Sequence, residues 1–340
     1  MNFIELTEDQ LRQYIDAEAT FTALEQARRG AREVRGSMFW RADKGKDILV
    51  RASTAAKQRR LGPRSAETEG IHQRFTERKA AVESRIDSLE KSLDRHRRMN
   101  LALRVGRCPT ILVKILQRLD KQGLAGHFLT VGTHALYAFE AAAGVRIAPE
   151  ALATQDVDVL FDTRKRVSFF ARLEEAGLSF IDVLRKADKT FEVDPDQHHT
   201  AVNQDGFEVD VIRRMAKDGD PHPLRMSRHE VDLRAVQVDS GERMLGAAPF
   251  SQVIVATDGS MARMTTISPK TFVQIKRKLS TSASRDPKKR DKDALQAVVV
   301  RQLMKEKMIE LLGKSPNVGA PAPEGTGRLV SSGATRAERR

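Results

Sequence analysis

Two tetrads of alternating acid and valine, Asp156-Val157-Asp158-Val159 and Glu208-Val209-Asp210-Val211, constrain this chain more than any other feature. An alternation of period two suits a strand, where neighbouring side chains point to opposite faces. Each tetrad therefore turns its valines toward a core and gathers its carboxylates on the other face, roughly 6–7 Å apart along the strand. Carboxylates held side by side repel unless a cation lies between them. Hard oxygen donors with no His or Cys beside them suit Mg²⁺ or Mn²⁺. An acid from a neighbouring strand would complete a two-metal clamp, in which one ion activates an attacking hydroxyl and the other steadies the oxygens of a leaving phosphoryl group.

Upstream of both tetrads, Val131-Gly132-Thr133 follows the short apolar run 128–131 and opens a helical pattern. Gly132 permits close backbone approach, and the free N–H groups at the start of a helix suit an anion such as a phosphate. The order of the three pieces places a phosphate turn beside a carboxylate pair.

The 340 residues carry 59 Lys plus Arg against 46 Asp plus Glu, a net charge of +13 that favours a polyanionic partner. Cys108 is the sole cysteine, which excludes an internal disulfide framework and a cysteine-rich zinc site. No run approaches the roughly 18 apolar residues of a membrane span, and the first residues lack the pattern of a signal peptide. A cytoplasmic protein with no membrane partner is the expectation.

The pattern divides the chain into five parts. Residues 1–64 read as a helix followed by a small hairpin turning at 42–46, with Trp40 as a packing anchor. Residues 65–125 form a helical region in which Phe75, Val82, Ile86, Leu89 and Leu93 make an amphipathic seam, closing within the chain or between two chains. Its cluster Arg95-His96-Arg97-Arg98 could grip phosphates or simply be solvated. Residues 126–240 hold strands at 156–161, 179–183, 190–193, 200–203, 207–212 and 235–238, with helices at 133–143 and 164–176. That mixture is an α+β domain on a mixed or largely antiparallel sheet. Residues 241–314 add a strand pair, 252–256 and 262–267, then a helix opened by Ser268-Pro269 and another over 288–312. Residues 315–340 are too poor in large apolar groups to order themselves, so a disordered tail is expected.

The order Gly-Thr, Asp-x-Asp, Glu-x-Asp resembles the nucleotidyltransferase fold of the polymerase β superfamily. The stretches Gly36-Ser37-Met38-Phe39-Trp40, Leu61-Gly62-Pro63-Arg64-Ser65, Val131-Gly132-Thr133-His134 and Thr154-Gln155-Asp156-Val157-Asp158 resemble a poorly characterised bacterial branch of such proteins. The resemblance implies a mixed sheet of nucleotidyltransferase type with flanking helices, preceded by a helical and hairpin region and followed by a helical one. It implies transfer of a nucleoside monophosphate from an NTP to an acceptor hydroxyl with release of pyrophosphate. Asp156 and Asp158 match the metal ligands and Gly132 and Thr133 the phosphate turn. The third acid is Asp210 or Glu208, which share a strand face, with Asp210 preferred for its flanking valines. The 24 positions from Gly132 to Asp156 exceed the gap in minimal members, so 141–153 should hold an extra helical turn or loop.

Cations must balance a triphosphate. In related proteins a Lys or Arg of the following helical domain does so, which makes Lys276 the first choice here and Arg285 the second, ahead of Lys278, Lys288, Lys289, Arg290 and Lys292. His134 could touch a nucleotide or pack locally, His198-His199 read as surface residues, and Asp162 as a cap at a strand exit. The acceptor could be a nucleic acid, a protein or a small molecule. The second reading is a non-catalytic module that senses nucleotide or binds nucleic acid.

Overall fold

The computed structural model describes residues 2–53, 57–217 and 219–307. The tail expected at 315–340 and the end of the helix expected to reach 312 lie outside the described residues. No described helix is long and apolar enough to cross a membrane.

The first acid–valine tetrad opens the central strand, Asp156–Phe161, whose Val157, Val159, Leu160 and Phe161 are buried. Phe128–Val131 pairs with it antiparallel and Glu208–Arg214 parallel. The outer edge of Glu208–Arg214 is shared: Thr200–Val202 runs antiparallel along its first half, and Arg234–Val238 parallel along its second. Glu192–Val193 and Leu224–Arg225 finish the sheet. The α+β architecture with a mixed sheet expected from the sequence is the one found.

Helices cover the valine face. Phe128, Phe161, Phe169 and Phe180 pack ring to ring there, with Phe128 stacked on Phe180 at 5.1 Å and Phe161 against Phe169 at 4.8 Å. Phe180 belongs to a helix, Phe180–Arg185, where the sequence pattern predicts a strand at 179–183. Ser179 caps that helix through a capping box with Asp182, and the buried carboxylate of Asp232 accepts from Phe180 N at 2.8 Å and Ile181 N at 2.9 Å. Orphan N–H groups satisfied in this way outweigh the strand preference of a short apolar run.

The interval after Gly132 holds the helix Ala135–Ala143, a strand Val145–Ile147 and a short helix Pro149–Leu152, which accounts for its length. Val145–Ile147 pairs antiparallel with Phe3–Glu5, a strand not anticipated ahead of the N-terminal helix Glu8–Gly30. The hairpin Pro249–Val255 and Met261–Ile267 packs on Ala135–Ala143, where Phe139 meets Phe250 edge-on at 5.2 Å. Ser268 caps Pro269–Ser280 as expected, accepting from Thr271 N, and Pro287–Lys307 closes the described chain.

The long helix Ala66–Ala102 carries the seam. Its C-terminal part lies antiparallel to Glu8–Gly30, joined by Gln13 Nε2 to Asn100 Oδ1 at 2.9 Å and Arg28 to Glu90 at 2.8 Å, so that part of the seam closes within one chain. Its N-terminal part supports a three-stranded sheet, Ser37–Asp43, Lys46–Ala52 and Gln58–Pro63. The hairpin turns at Lys44-Gly45, both with positive φ, the backbone that a two-residue hairpin loop of the favoured type requires. Its third strand was not anticipated.

Candidate active site

Strand register assembles the acids. Asp156 lies opposite Glu208 and Asp158 opposite Asp210, so four carboxylates from two parallel strands share one face while Val157, Val159, Val209 and Val211 fill the other. Asp158 is half-buried at the centre. Burial, then the negative charges of Asp156 and Asp210, raise its pKa to about 6, against the opposing pull of Lys276 and Arg285. Asp210 accepts a 2.6 Å hydrogen bond from Thr200 Oγ1, and Asp156 accepts one from Thr154 Oγ1. Glu208 is exposed at the first position of its strand.

The turn at Gly132 touches this face. Val131 pairs with Asp158, and Gly132 follows with φ +66°, a conformation that L side chains rarely adopt. A Cβ on residue 132 would stand 2.3 Å from Asp158 Oδ2, so only glycine lets the turn and the carboxylate approach this closely. Gly132–His134 forms a single 3₁₀ turn leading into Ala135–Ala143.

Both preferred cations arrive from the C-terminal helices. Lys276, on Pro269–Ser280, is buried with its Nζ 2.7 Å from Asp293 Oδ1, and Arg285 Nε reaches Asp293 Oδ2 at 2.5 Å. One carboxylate thus holds two cations, leaving a net positive charge that acts on Asp158. Burial lowers the pKa of Lys276, partly offset by Asp293. Lys292 Nζ donates to Ala153 O at 2.6 Å and feels the charge of Asp156. Lys278, Lys288 and Lys289 are exposed.

Two residues of this arrangement escaped the sequence reading. Asp293 organises the cations, and Gln296 Nε2 donates to Thr133 Oγ1 at 3.1 Å and to Ala151 O at 2.6 Å, tying the phosphate turn to the closing helix. Their spacing held a signal: Asp293, Gln296, Ala297, Val300 and Leu303 follow helical periodicity on the buried stripe of Pro287–Lys307, and polar groups on such a stripe need partners.

The other candidates separate cleanly. His134 is buried between Tyr137 and Phe207, at 5.8 and 5.9 Å, and burial lowers its pKa to about 4, so it packs as a neutral ring. His198 is exposed and its neighbour His199 half-buried. Asp162 accepts from Arg164 N at 3.2 Å as a cap. Arg97 pairs with Asp258 at 3.0 Å and Arg98 with Asp94 at 2.5 Å.

Mg²⁺ or Mn²⁺ fits the donor set in chemistry, because the donors are oxygens and the crowding of like charge around Asp158 is what a divalent cation relieves. As the side chains stand, no three carboxylate, imidazole or thiol groups among the described residues form a ready cage for a metal.

A family model described as nucleotidyltransferase matches residues 110–316, which takes in the acid strands, the phosphate turn and both cation-bearing helices. No curated protein and no solved structure matches the chain. With more than half its length matched, and with a glycine turn set against paired acids, the chain belongs to this nucleotidyltransferase family.

Proposed function

We propose that the chain is a metal-dependent enzyme that moves a nucleoside monophosphate from an NTP to an acceptor hydroxyl. The observation that carries this reading is the contact between Gly132 and Asp158, which sets the anion-binding turn directly against the acid face. Asp156 and Asp158 would hold Mg²⁺ or Mn²⁺, with Asp210 as the preferred third ligand over Glu208, because Asp210 faces Asp158 and acts on it electrostatically. A bound divalent cation supplies charge neutralisation at the phosphates and acidifies the attacking hydroxyl.

The chain's own groups divide the remaining work. The backbone N–H groups after Gly132 hold the terminal phosphates, and Thr133, anchored by Gln296, fixes the turn. Lys276 and Arg285 offset the triphosphate charge. Asp210 aligns the acceptor hydroxyl and accepts its proton as oxygen attacks the α phosphorus. The bond from the α phosphorus to the bridging oxygen breaks, and pyrophosphate leaves with that oxygen.

The test incubates the purified chain with Mg²⁺ or Mn²⁺ and each α-labelled NTP, using total RNA and the chain itself as acceptors. Label transfer that disappears with Asp156→Asn plus Asp158→Asn supports the reading. Transfer that survives the double change overturns the site, and NTP binding without transfer supports a nucleotide sensor instead.

A further inference from the structure

The positive charge of this chain is concentrated outside the matched region. Residues 35–64 contain nine Lys or Arg against two Asp or Glu, a net charge of +7 out of the whole chain's +13. By contrast the long helix, residues 66–102, carries eight basic against seven acidic side chains. Several of these neutralise each other one turn apart, as in Lys91 with Asp87 at 2.7 Å and Arg98 with Asp94 at 2.5 Å. That helix is a solvated support. The sheet mounted on it is the charged object.

One face of the sheet is committed to the support: Arg51 stacks 4.0 Å above Phe75 and Trp40 lies 5.8 Å from His72. The other face carries Phe39, Arg41, Lys46, Val50 and Arg60, with Phe39, Val50 and Arg60 in one register row. Arg60 is paired with Asp43 at 2.9 Å. Val50 is buried under its longer neighbours, so the exposed groups are at the rim: Lys44, Lys46 and Lys57 make no ion pair among the described residues, whereas Arg59, opposite Arg51, stands on the supported side.

We propose that this three-stranded sheet is the docking surface for the phosphodiester backbone of a nucleic-acid acceptor. The inference rests on the transferase reading in naming the docked molecule an acceptor that must also reach the matched region. Two further observations narrow the class of partner. Phe75, under the sheet, and Asn100, which donates to Gly259 O at 3.1 Å in the hairpin, are 25 residues apart on one helix, about 38 Å. An acceptor that docks at the sheet and reacts within the matched region must cover a span of this order, which a polymer of regularly spaced phosphates does and a free nucleotide does not. A lipid surface is disfavoured because none of the exposed large apolar side chains belongs to the sheet, and interfacial binding needs apolar insertion.

The experiment measures binding of the full chain, without nucleotide or metal, to fluorescent RNA and DNA single strands of about 20 nucleotides and to the DNA duplex across a salt series. Replacing Lys44, Lys46 and Lys57 together by Gln should weaken single-strand binding at least about tenfold near 0.1 M salt and flatten the log–log salt slope by about 2. Lys91→Gln with Arg98→Gln, on the support, should change neither. RNA bound more tightly than DNA, or the reverse, identifies which nucleic acid docks, and either result supports the surface. An unchanged slope in the triple variant, no binding of any strand by the wild type, or equally tight capture of polyglutamate lost in the same variant would overturn it. Docking without NMP transfer sinks the enzymatic reading alone. Transfer with docking indifferent to the three changes sinks the docking surface alone.

Discussion

Gly132 and Asp158 exclude a side chain between them: the space that a Cβ on residue 132 would occupy is filled to within 2.3 Å by Asp158 Oδ2. Strand pairing of Val131 with Asp158 fixes the two backbones, so neither can retreat without breaking the sheet. The turn at Gly132 and the acid face are therefore joined through the sheet, with the Asp158 carboxylate seated in the space a side chain would need.

Gly132→Ala should cut transfer at least about 100-fold, the scale of a misplacement of about 1 Å in a reacting geometry. The left-handed backbone adds a stability cost of about 1–2 kcal/mol. Gly126→Ala, at a position with ordinary φ and nothing within 4 Å of the added carbon, is the control and should leave both unchanged. Steady-state rates and thermal melts of the two variants make the comparison.

The two acids of the second tetrad should separate sharply. Asp210→Asn removes the group opposite Asp158 and should cost at least about 100-fold in kcat. Glu208→Gln, at an exposed strand start, should cost less than about tenfold. Equal losses would show that the two acids act as a set and would remove the preference for Asp210.

Asp158 makes stability depend on pH in a defined direction. Its carboxyl is protonated in both folded and unfolded chains well below the ordinary value of 3.8, and the folded chain keeps the proton up to about 6. Between those values the folded state binds more protons, so stability contributed by the neutral form is lost as pH rises and stays lost above about 6. Asp158→Asn should therefore melt above the metal-free wild type at pH 8 and level with it near pH 3. Mg²⁺ should raise the melting temperature of the wild type and not that of the variant, and its removal by EDTA should restore the original gap.

Asp293 should matter more to the fold than either cation it holds. Asp293→Ala strands the buried ammonium of Lys276, and breaking a buried pair from one side costs about 3–5 kcal/mol. Lys276→Met leaves Asp293 its bond to Arg285 and should cost less. Urea unfolding midpoints at fixed pH read the difference.

What could be read from residue order was whatever depended on near neighbours. The acid–valine alternation specified strand and face together, Ser268-Pro269 announced its helix, and the charges of Lys276 and Arg285 act on Asp158. Features whose physical cause lies far along the chain were invisible. The helix Phe180–Arg185 is held by Asp232, and Phe3–Glu5 is a strand only because Val145–Ile147 offers it an edge. Asp293 gave no local signal of its role because its partners come from outside its helix.

The bond from Gln296 to Thr133 spans 163 positions. At synthesis rates of about 5–20 residues per second, the ribosome finishes the turn roughly 8–33 seconds, and the second acid strand roughly 4–16 seconds, before it supplies Gln296. Throughout that interval the clustered carboxylates lack Lys276, Arg285 and the anchor on Thr133. A chain that ends before residue 276 thus carries the clustered carboxylates and neither Lys276 nor Arg285, so the charge balance of this face arrives only with the C-terminal helices.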